Sequence, residues 1–156
     1  MQPIRLAALL SLVIAGCGGN SDTSTAQPYS VLECGQSYYT SITKPKRTVI
    51  TSAHEFREVY GVTDLNRQSE APSVDFDTQQ VVAVHAGTQA NPAHNLRVDA
   101  VRANELGLEV FYTAFKPSDT GGCAYQAVVV YPYCFILLDK IDMPVSYNKS
   151  YEEVGC

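Results

Sequence analysis

Gln80-Val81-Val82-Ala83-Val84-His85-Ala86-Gly87 is a nearly continuous apolar run of strand length, closed by a glycine. Its valines and its length predict a central strand, covered on both faces. Downstream, residues 96–103 alternate, with Leu96, Val98 and Ala100 on one face and Arg97 and Asp99 on the other. That period of two predicts a half-buried strand. Asn104-Glu105-Leu106-Gly107 reads as a turn, and 108–115 as the return strand of a hairpin. Upstream, 31–42 and 47–51 are strand-like. Ser52-Ala53-His54-Glu55 has the form of a capping box, serine first and glutamate three residues on. Phe56, Val59 and Tyr60 then make one apolar helical face, which predicts a short helix over 53–60 that stops at Gly61.

Residues 61–79 read as a loop containing Pro72, from which Phe76 plugs the core. Asp75 and Asp77 flank that residue and read as turn caps rather than as a pair of acid–base carboxylates. Strands are expected at 126–131 and 134–139, broken apart by Pro132, and 141–156 reads as irregular. The whole is an α+β, β-rich domain: an antiparallel sheet or sandwich of six to seven strands with one short helix.

The N-terminus has a different character. Arg5 precedes an apolar stretch, 6–15, in which Ser11 is the only polar residue. Ile14-Ala15-Gly16-Cys17 follows: a branched apolar residue, two small ones and a cysteine. This resembles the lipobox cut by lipoprotein signal peptidase, with Cys17 as the lipidated residue. The run is about half the roughly 20 residues needed to span a bilayer. The expected organisation is a signal peptide at 1–16, a flexible tether at 17–30 and a single domain at 31–156. The tether reading rests on Gly18 to Pro28, which is polar and without apolar period. Gly18, where an aspartate would favour retention at an inner membrane, points to the outer membrane in a two-membrane cell. The expected location is the bacterial cell envelope.

Removing 1–16 takes one charge, Arg5, from the chain, leaving 10 basic against 16 acidic side chains. That balance argues against nucleic acid and against anionic headgroups as partners. Attachment would come from fatty acyl chains on Cys17. Setting Cys17 aside leaves Cys34, Cys123, Cys134 and Cys156, an even number that implies disulfides in an exported protein. Among three connectivities, Cys123–Cys134 and Cys34–Cys156 are expected: the first is local, the second ties the domain's ends. Without a Cys-x-x-Cys pair, a zinc site is not indicated.

Catalytic constellations do not emerge. The Gly-x-Ser-x-Gly elbow and His-Glu-x-x-His are absent from the sequence. His54, His85 and His94 fall on three different elements, read as a solvated helix residue, a satisfied strand residue and a loop residue. Neither metal nor cofactor is called for, and the chain reads as non-catalytic.

The order of these features from about residue 48 to 140 resembles the family named for PrcB, a subunit of a protease complex. Val49-Ile50-Thr51-Ser52 leads into the helix with Phe56. Asp75-Phe76 precedes Val81-Val82-Ala83-Val84 and Ala86-Gly87. Then come Lys116-Pro117, Gly121-Gly122-Cys123 and Tyr131-Pro132-Tyr133. Where members usually carry a Gly-Gly-Tyr-like segment, this chain has Asn91-Pro92-Ala93-His94-Asn95. The resemblance implies a non-catalytic domain that docks to or stabilises another exported protein, a protease complex among the candidates. Polar loop residues Asn91, His94 and Asn95, with Ser118 and Asp119, are the expected contact points. The alternative is a protease inhibitor that inserts the loops at 88–95 and 116–123.

Overall fold

The computed structural model describes residues 24–118, 120 and 124–155; Cys17, Asp119, Cys123 and Cys156 lie outside the described residues. The elements are β1 Thr25–Ala26, β2 Tyr29–Ser37, β3 Lys46–Ile50, α1 Ala53–Thr63, β4 Gln79–His85, β5 Asn95–Asn104, β6 Gly107–Pro117, β7 Tyr131–Asp139 and β8 Val145–Val154. They form two four-stranded sheets, ordered β1-β5-β6-β8 and β2-β7-β4-β3. Every pairing is antiparallel except β6 with β8. The β-rich α+β class and sandwich-like architecture expected from the sequence are thus present.

Three layers explain the apolar pattern. Val82, Val84, Ile136 and Leu138 of one sheet meet Leu96, Val98, Leu108 and Val110 of the other. On the opposite face of β4 and β7, Val81, Ala83 and Phe135 pack against Phe56, Val59 and Tyr60 of α1. β4 is buried on both sides, and for this reason its sequence does not alternate. Phe56 is the hub of the second layer, with the rings of Tyr60, Phe76 and Phe135 between 5.6 and 5.9 Å away. Burying a side chain of that kind contributes about 1.5–3 kcal/mol.

Local chemistry sets most boundaries. Ser52 Oγ accepts from the Glu55 amide at 3.3 Å and starts α1. The helix runs through Gly61 to Thr63, beyond its expected end, because Thr63 continues the buried stripe of Val59 and Tyr60. In β5 a bulge between Val98 and Ala100 shifts the alternation, so Val101 rather than Ala100 faces the core. Asn104 Oδ1 accepts from the amides of Leu106 and Gly107 and closes the expected hairpin turn. Asp75 likewise caps its own turn, accepting from the Asp77 amide and the Thr78 hydroxyl.

Five expectations are corrected. The cysteine pairing is different: Cys34 and Cys134 face each other across β2 and β7 and are bonded, with Cα atoms 4.1 Å apart. Neither Cys123–Cys134 nor Cys34–Cys156 can coexist with that bond. Sequence locality was the wrong guide, since strands adjacent in the sheet are 100 residues apart in the chain. Of the stretch 126–131, residues 126–130 are not a strand, Val130 forming a single bridge with Gln89, and Tyr131 already belongs to β7. Pro132 does not break β7, because it lies near the strand's end, where its carbonyl accepts from Ala86. The tail is not irregular, since β8 pairs with β6 over ten positions. The segment read as tether also joins the fold earlier than expected: Thr25 and Ala26 pair with Ala103 and Arg102, and β2 begins at Tyr29.

Candidate functional site

The two loop segments singled out in the sequence are mostly spent on their own backbone. Gln89 pairs with Val130 through two hydrogen bonds of 2.9 and 3.0 Å. Asn91 Oδ1 accepts from the Ala93 amide at 3.0 Å, and Asn95 Oδ1 from the Leu96 amide at 2.8 Å. Gln36 Nε2 reaches across to donate to the carbonyls of Pro92 and His94. His94 is half-buried; burial lowers its pKa, while the hydrogen bond of its ring to the Phe115 carbonyl opposes that shift. Ser118 Oγ lies 3.0 Å from Thr120 Oγ1 and donates to Glu153. The structure does not gather these residues into one outward-facing group.

A different group does converge, on the α1 side. In β2 a bulge between Val31 and Glu33 sets the register so that Glu33 and Gly35 face α1 while Cys34 faces Cys134 in the sandwich. Glu33 Oε2 accepts from the Tyr60 hydroxyl at 2.7 Å and from Arg67 Nη1 at 2.5 Å. The Tyr133 hydroxyl donates to the other carboxylate oxygen and accepts from Arg67 Nη2 at 2.8 Å. A Cβ at position 35 would lie 3.3 Å from that hydroxyl, so glycine leaves room for it. The Arg67 guanidinium also stacks 3.8 Å over the Tyr60 ring. Burial alone would raise the Glu33 pKa, but the bonds from Arg67, Tyr133 and Tyr60 outweigh it and hold the carboxyl below its usual value. Arg67 thereby pins the 64–74 segment onto the sheet.

That pinning presents an exposed apolar surface. Tyr38, Tyr39, Val62 and Leu65 are between 37 and 61 % exposed. They are neighbours in space: the Leu65 amide donates to the Tyr39 carbonyl at 2.8 Å, and the Ser41 amide to the Val62 carbonyl at 3.0 Å. Ser37, fully buried, donates to the Tyr39 carbonyl and accepts from its amide, fixing the turn that carries both tyrosines. Beside the patch, α1 and the 69–76 segment enclose a groove of about 490 Å³ lined by Phe56, Tyr60, Pro72 and Phe76 among others. The adjacent tyrosines were a legible signal. Leu65 and Arg67 were not, being single residues in a stretch read as loop.

Behind the patch lies His85. Thr63 Oγ1 commits its proton to the Val59 carbonyl at 2.6 Å, so it accepts from His85 Nε2 at 2.9 Å. Nδ1 is then the bare nitrogen, buried and without a partner among the described residues. Burial, with a smaller contribution from the charge of Lys46, lowers the pKa from 6.5 to about 4. The folded value is depressed, so the stabilising effect is complete above 6.5 and is lost as pH falls toward 4. Between about pH 7 and 5, wild-type protein should lose roughly 2 kcal/mol more stability than His85→Gln. Urea unfolding at both pH values measures this; equal losses would count against a neutral buried imidazole.

The carboxylate of Glu33 accepts from one arginine and two phenols. His54 is exposed on α1 beside Glu58, and His85 and His94 stand on or near other elements. Comparison with protein-family models, curated proteins and solved structures finds no match to this chain.

Proposed function

We propose that this protein is a membrane-tethered, non-catalytic interaction module that docks to another exported protein through the face formed by Tyr38, Tyr39, Val62 and Leu65. The observation that carries the reading is this exposed aromatic and aliphatic patch on a locked base. Tyrosines lose little conformational entropy on binding and supply large contact area. The lipobox at Cys17 supports the tether, and the Cys34–Cys134 disulfide suits an oxidising, exported setting. The PrcB-like order of motifs agrees with a docking role and makes a protease complex a natural partner.

The placement of the patch favours protein over lipid. The chain enters β2 at Tyr29, and the patch follows its other end. At roughly 3.3 Å per residue, the nine residues of β2 put about 30 Å between them. The patch therefore lies at the opposite end of β2 from where a tether would join, and the acidic chain would be repelled by anionic headgroups. The triple variant Tyr38→Ser, Tyr39→Ser, Leu65→Ser should keep the wild-type Tm, because these side chains are exposed. In crosslinked cells it should recover its partner at least about ten-fold less well. Equal recovery at equal Tm would exclude the patch. Loss of activity in a captured protease would favour the inhibitor reading over simple docking.

A further inference from the structure

We propose that a second site, the cleft beside Gln80, binds a small organic cation with an apolar body and a carbonyl acceptor. The cleft measures about 690 Å³, within the range of small-molecule sites, and is lined both by residues 140–145, between β7 and β8, and by the ends of β3 and β4. Along β4 the side chains of Val82 and Val84 point into the sandwich, and Gln80, two residues earlier, takes the same face. There it is 2 % exposed, and its Nε2 has no hydrogen-bond partner among the described residues. A valine or leucine would close this end of the core at no polar cost. Instead a buried donor is held at the base of an open cleft, which is how a site reads a ligand oxygen.

The walls and rim specify the rest of the ligand. Val49, Met143 and Val145 supply an apolar surface, and Asp77 and Asp142 are exposed at the mouth. Lys140 also lines the cleft, its ammonium donating to the Phe76 carbonyl at 2.9 Å. Two carboxylates against this one ammonium leave the mouth net negative. An ammonium would sit toward Asp77 and Asp142, an alkyl group against the wall, and a carbonyl oxygen on the Gln80 amide. This activity is independent of docking through the tyrosine face.

The test is a titration of isotopically labelled protein with leucinamide, which carries all three groups, followed by NMR. Saturable shifts are expected at the Gln80 side-chain amide and around Thr51, Asp142 and Met143. N-acetyl-leucinamide, which lacks the charge, should bind roughly ten-fold more weakly, and so should Gln80→Leu. Gln80→Leu should melt at the wild-type temperature or above. Should it fail to fold, Asp142→Asn, at an exposed position, carries the test and is expected to weaken leucinamide but not its acetylated form. Absence of saturable shifts, shifts mapping elsewhere, or unaltered binding by these variants would overturn the proposal.

Discussion

Exchange of both Cys34 and Cys134 for alanine lowers the unfolding free energy by about 4–5 kcal/mol. The bridge closes a loop across a sequence separation of 100 residues, and a constraint of that length removes most from the entropy of the unfolded chain. A second loss adds to it, because Cys134 is buried between the sheets and alanine leaves space there. Urea unfolding of the double variant reads the effect directly. Non-reducing peptide mapping should join the Cys34 and Cys134 peptides. A map linking Cys34 to Cys156, or a double variant as stable as wild type, would overturn the assignment.

Arg67→Met is the second large effect, expected to cost about 2–3 kcal/mol, less than for a fully buried pair because the Glu33 side chain keeps some contact with solvent. Methionine keeps much of the packing over Tyr60 but removes the cation from Glu33. The carboxylate is then left with only the two tyrosine hydroxyls. The sign of the pH dependence follows. Glu33 has a depressed pKa in the folded protein, so its contribution is present above the usual carboxyl value of 4.5 and fades as pH falls below it. The gap between wild type and Arg67→Met should therefore be widest near neutral pH and narrow in acid. A constant gap across that range would mean that Arg67 acts through packing alone. Because Arg67 pins the segment carrying Leu65, the variant should also weaken partner capture, and Glu33→Gln should do so less severely, since a neutral amide still meets both phenols.

The elements with strong local signals were readable from the residues. The apolar run of β4 needs no partner's identity to be recognised as a doubly covered strand. The β5–β6 hairpin declares itself by alternation and by the Asn104 turn, and α1 by its serine cap and the spacing of Phe56, Val59 and Tyr60. These signals lie within about ten residues of one another, the range over which periodicity and capping act. The β8 strand escaped the same reading because its sequence, Val-Ser-Tyr-Asn-Lys-Ser-Tyr-Glu-Glu-Val, is mostly exposed and polar. An edge strand with charges needs no apolar face, and its extended form is imposed by β6 alongside it. Ala100 was misplaced for a related reason: a single bulge flips every later side chain, and no residue type announces it.

The sequence by itself determined a β-rich domain with one helix. Only the tertiary structure decided which cysteines meet, which loop residues are consumed by their own backbone, and that Arg67 closes onto Glu33 to hold Leu65 and Val62 beside the tyrosines. The physical reason is range. Helix caps, turns and hydrophobic period are set by neighbours along the chain. A disulfide, an ion pair with two phenols and a surface patch are set by neighbours across the sheet, and residues as much as 100 positions apart become neighbours only when the sandwich closes.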